Sequence, residues 1–80
     1  MSREKEFILG CAAWEIERLT ELINLHNRER AALLQYPEPI RESELVKSRV
    51  NHLSREIETY ERTLEKVRGW QSEAQLRLPD

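Results

Sequence analysis

Two histidines, His26 and His52, and one cysteine, Cys11, are the side chains best suited to metal or nucleophilic chemistry. A tetrahedral zinc site needs three or four such ligands. No HExxH or CxxC spacing occurs, and Cys11 lies roughly four helical turns from His26. Nucleophilic use of Cys11 requires an adjacent base and an electropositive setting. Its neighbours along a helix are Phe7, Gly10, Ala12 and Trp14, which favour the neutral thiol. No metal, cofactor or catalytic residue is expected from this set.

Carboxylates offer a second chemistry. Glu15, Glu17 and Glu21 in the first half, with Glu56, Glu58 and Glu61 in the second, form a belt of the kind that holds magnesium or moves protons. Arg18, Arg55 and Arg62 are interleaved with them, and Glu58 to Arg62 is a favourable i,i+4 pair, so a solvated face is expected. Ser54-Arg55-Glu56-Ile57-Glu58 resembles the Ser-Gln-Glu-Leu-Asp signature of the small sporulation phosphatases, which dephosphorylate aspartyl-phosphate on response regulators. The resemblance implies a helical-hairpin enzyme with Glu58 at the catalytic carboxylate. It spans five positions, of which Ser54 and Glu56 are identical. Arg55 replaces the glutamine, and the extra methylene of Glu58 displaces its carboxylate by about an ångström. This phosphatase-like reading is an alternative, not the main expectation.

Basic residues gather toward the middle of the chain: Arg28, Arg30, Arg41, Lys47, Arg49 and Arg55, against Glu29, Glu38, Glu42 and Glu44. An RNA-binding hairpin dimer of the Rop-like kind would use such a cluster. The whole chain carries 13 basic and 15 acidic residues, a net charge of −2, whereas nucleic-acid binders show a basic surplus. Nucleic acid is not the expected partner.

The elements that must position these groups are few. Eighty residues make one small domain. With 2 Gly and 3 Pro, the chain lacks the turn residues that a sandwich or barrel requires. Pro37 and Pro39 supply the one internal break, since proline removes a backbone donor and disfavours helix at the residue before it. The pattern predicts helix over about 3–35, a turn over 36–40 and helix over about 41–76. Val46, Val50, Leu53, Ile57, Tyr60, Leu64, Val67, Gln71, Ala74 and Leu78 alternate steps of four and three, a coiled-coil seam that holds phase across Gly69. Leu9, Ala12, Ile16, Leu19, Ile23, His26, Arg30 and Leu33 form the facing seam. Folding about the prolines brings Leu19 opposite Ile57, Ile23 opposite Leu53, and His26 opposite Arg49 and Val50. Arg30 is then expected to pair with Glu42 or Glu44.

One hairpin buries only the strip between its helices. A second stripe on the first helix, Phe7, Cys11, Trp14, Leu25 and Ala32, faces away from that strip. The expected architecture is therefore all-α: an antiparallel two-helix hairpin, coiled-coil-like, that dimerises into a four-helix bundle. Phe7, Cys11, Trp14, Leu25 and Trp70 are the expected partner-binding residues, because clustered aromatics carry most interface energy. The expected function is that of a small protein-binding regulator, inhibitor or adaptor of the kind phages and mobile elements encode, acting on an unidentified protein target. A lone cysteine needs no oxidising compartment, so the cytoplasm is the expected location. Ile8-Leu9-Gly10-Cys11 resembles a lipoprotein cleavage box, but the apolar run before Gly10 is three residues against the roughly 7–15 of a secretory signal. No membrane role is expected.

Overall fold

The computed structural model describes residues 3–79. Two long helices, α1 (Arg3–Leu34) and α3 (Glu44–Arg77), run antiparallel and pack along their length, with a one-turn helix α2 (Glu38–Arg41) between them. The molecule is a rod of 59 × 14 × 13 Å. The hairpin expectation holds. Among the described residues no helix is long and apolar enough to cross a membrane.

The break is set by Pro37. The last turn of α1 tightens, with Gln35 N–H donating to the Ala32 carbonyl and Tyr36 N–H to that of Leu33. Pro37 then adopts extended backbone (φ −54°, ψ 151°) and caps α2. The second long helix begins at Glu44, three residues later than periodicity predicts. Ser43 is extended and its hydroxyl accepts from Val46 N–H, an N-cap that stops α3 from growing backward. At the other end α3 runs through Gly69 to Arg77 without interruption.

Every residue of both predicted seams is buried or half-buried. Leu19, Leu64 and Val67 form the central cluster, flanked by Ala12, Ile16, Ile23 and Tyr60. Leu19 and Leu53 are the two large side chains fully removed from solvent. The seam of α1 extends one step further back than the apolar pattern reveals. Lys5 is buried there, its aliphatic stem filling a core position while Nζ donates to the Gln75 carbonyl at 3.2 Å.

The register differs from expectation by roughly one to two helical turns. Leu19 packs on Leu64 and Val67 rather than Ile57, and His26 meets Glu56 rather than Arg49. Arg49 instead pairs with Glu29 at 2.8 Å. The cause is the connection. The turn of α2 and the Ser43 cap lengthen it, so the hairpin folds about a point later in the chain than Pro37.

Gly69 gives a direct test of helical continuity. It has no positive φ, it is exposed, and a Cβ added there would meet nothing within 4 Å. Gly69→Ala should therefore raise unfolding stability by about 1 kcal/mol, the alanine-over-glycine preference of a helix interior. Urea denaturation followed by circular dichroism would show it. A loss of stability would mean that the helix is broken at this point.

Candidate functional site

Two groupings stand out on this rod: an apolar groove at its open end and a polar layer nearer the turn. The groove, about 420 Å³, is walled by Phe7, Cys11 and Trp14 from α1 and Trp70 from α3, with Ala12 and Val67 at its floor. The helical spacing of Phe7, Cys11 and Trp14 stacks them on one face. Antiparallel pairing then brings Trp70 alongside. Phe7 is 72% exposed, Trp14 65% and Trp70 62%. Four of the five expected partner-binding residues thus lie together. Leu25 is also exposed but stands apart, between Glu21, Asn24 and Arg28 further along α1. Cys11 is a reduced, exposed thiol in this setting.

The polar layer is centred on Glu56. His26 Nε2 donates to Glu56 Oε2 at 2.8 Å, His52 Nε2 lies 3.0 Å from Oε1, and the Tyr60 hydroxyl donates to Oε2 at 3.3 Å. His26 Nδ1 faces the Leu22 carbonyl at 2.8 Å, and a carbonyl oxygen only accepts. Both ring nitrogens of His26 therefore face acceptors. The ring also meets Tyr60 edge-on, with centroids 5.3 Å apart. Hydrogen bonding from His26 holds the Glu56 carboxyl below its usual range, with the charge of His52 acting in the same direction. Burial, then the Glu56 charge, push the Tyr60 hydroxyl up.

The histidines do approach one another, through a shared carboxylate. Among the described residues no three His, Cys, Asp or Glu side chains are arranged to hold a metal ion. The expected belt of six carboxylates is not assembled. Glu15 binds Arg18, Glu58 binds Arg62, and the shifted register sets Glu56 opposite His26 rather than level with Glu15. Glu58, the position that the phosphatase resemblance singles out, lies on the surface in its pair with Arg62. Arg30 does not reach Glu42 or Glu44. It donates to Asn27 Oδ1 at 2.9 Å and to Ser54 Oγ at 3.1 Å, while Glu42 pairs with Lys47. The same lengthened connection carries the two glutamates out of its reach.

Sequence reasoning named Glu56 as one member of a belt and as a position of the phosphatase-like signature, and passed over Tyr60 as a seam residue. The available signal was the spacing of His52, Glu56 and Tyr60, each one helical turn from the next.

Linkage fixes the sign of the pH dependence. A carboxyl whose folded pKa lies below its ordinary value of 4.5 contributes stability above that value. The contribution is lost as pH falls through the folded pKa. Melting temperature should therefore drop on acidification below about pH 4.5, and Glu56→Gln should flatten part of that drop. An acid limb identical in wild type and variant would show that Glu56 is not coupled to folding.

Compared with known proteins, the chain matches no family model, no curated protein and no solved structure, so its function rests on its own geometry.

Proposed function

We propose that this protein is a non-enzymatic interaction module, a small regulator, inhibitor or adaptor that works by binding protein through the outer face of α1. The supporting observation is the groove of Phe7, Cys11, Trp14 and Trp70. Three large aromatics, each more than half exposed, are an unusual expenditure of apolar surface on so thin a rod. Surfaces of this composition act as hot spots, where a few aromatics supply most of the binding energy. The hairpin needs none of the three for its own core, which Leu19, Leu53, Ile57, Leu64 and Val67 provide. Association of two hairpins into a four-helix bundle belongs to the same reading, because it would cover this face.

Cys11 reports on the proposal, because it is exposed at the centre of the groove. Its rate of alkylation should fall when the face is covered, either as the protein is concentrated or when an extract of the native host is added. The fall should vanish in Phe7→Ser/Trp70→Ser, whose helical circular dichroism should be unchanged. A rate that stays constant under all these conditions would overturn the reading.

A further inference from the structure

We propose that the outer face of α1 pairs with the same face of a second copy of this chain, antiparallel, about a two-fold axis between Arg18 and Glu21. This rests on the reading above that the outer face of α1 is the working contact surface, and it names the occupant.

The exposed apolar residues of α1 belong to a longer repeat. From Phe7 to Ala32 the steps alternate four and three, and the same repeat takes in Arg18, Glu21 and Arg28. Every position of it is exposed. Each lies two residues beyond a member of the inner seam, about 160° around the helix, where α3 cannot cover it. A repeat of this period held over roughly 38 Å is what lets a second helix run alongside.

The repeat is also self-complementary when reversed. In a two-fold pair, residue i meets residue j and j meets i. With the axis between Arg18 and Glu21, Trp14 faces Leu25 of the second copy, and Phe7 faces the small Ala32. Each contact occurs twice. Large residues meet smaller ones, as interdigitating layers require. At the centre Arg18 faces Glu21 of the second copy, again twice. Glu21 makes no ion pair among the described residues. Arg18 bonds Glu15, but that pair is exposed and leaves guanidinium donors available. Arg28 then faces Cys11, where its guanidinium can lie over the rings of Phe7 and Trp14 on either side. A parallel pair in register fails on charge, because it sets Arg18 on Arg18, Glu21 on Glu21 and Arg28 on Arg28. Leu25, which lies outside the groove, meets Trp14 of the second copy only in the reversed alignment.

Charge exchange at the axis tests this. Wild type should sediment as a dimer at tens of micromolar. Arg18→Glu alone places like charges together across the axis, and so does Glu21→Arg alone. Each should weaken the dimer by at least about tenfold, with helical circular dichroism unchanged. An equimolar mixture of the two variants restores opposite charges at both crossings and should recover dimer mass. Oxidation reports the orientation. Arg28→Cys should give a covalent dimer through Cys11 and position 28 of the second copy, whereas wild type should not crosslink through Cys11. A monomeric wild type, single variants that dimerise like wild type, a mixture that stays monomeric, or a wild-type dimer crosslinked through Cys11 would each overturn the proposal. If the chain stays monomeric yet host extract still protects Cys11 from alkylation, the self-pairing fails and the interaction reading stands. If neither occurs, both fail.

Discussion

Leu53→Ala should cost about 3–5 kcal/mol of unfolding free energy and leave much of the protein unfolded at room temperature. Leu53 is 0% exposed, and with Leu19 it is one of the two large side chains wholly withdrawn from water. Truncation removes the transfer energy of the lost carbons and leaves a cavity. A rod two helices thick has no third layer to collapse into that space. The whole stability of a small domain is about 5 kcal/mol or little more, so one such loss consumes most of it. Leu19→Ala should behave alike. Leu45, 82% exposed at the start of α3, is the control, and Leu45→Ala should move stability by no more than about 0.5 kcal/mol. Urea melts at one fixed protein concentration would compare the three, since association adds to apparent stability. A Leu53→Ala chain as stable as Leu45→Ala would mean that the seam is not the core.

Both seams could be read from sequence because each depends on one local quantity, the 3.5-residue recurrence of apolar side chains. Tyr60 and Gln71 could be placed on the seam although both are polar, because phase, not polarity, puts them there. Lys5 could not, since a charged head at the start of a pattern reads as surface, and only the position of the Gln75 carbonyl shows how its stem is used. Register was the larger loss. It depends on how many residues the connection consumes, and Pro37, Ser43 and the turn of α2 jointly decide that. An error there moves His26 from Arg49 to Glu56 and separates the two halves of the acidic belt. The groove survived the error because Phe7, Cys11 and Trp14 lie on one helix, and their mutual placement owes nothing to register. Trp70 joins them because the lengthened connection slides α3 along α1 until Trp70 stands beside the Phe7–Trp14 stretch.

Trp14→Ala should weaken association by about 2 kcal/mol, roughly thirtyfold in dissociation constant, while changing the stability of the isolated hairpin far less. Trp14 is 65% exposed and lies outside the Leu19–Leu64–Val67 cluster, so little intramolecular packing is lost with its ring. What is lost is the largest apolar surface on the outer face of α1, flanked by Cys11 on one side and Arg18 on the other along the same repeat. Leu25→Ala discriminates between the two occupants of that face. If the occupant is a second antiparallel copy, Leu25 packs on Trp14 across the axis, and its truncation should also weaken the dimer. The double variant should then lose less than the two single losses added together, since residues in direct contact are not independent. If the occupant is a different protein held in the groove, Leu25 lies outside the contact and its truncation should change nothing. Sedimentation equilibrium of the four chains, wild type, two single variants and the double, gives the coupling between Trp14 and Leu25 directly. A coupling of zero with Trp14 alone mattering would place the binding energy in the groove, among Phe7, Trp14 and Trp70, and remove the reversed pairing of α1.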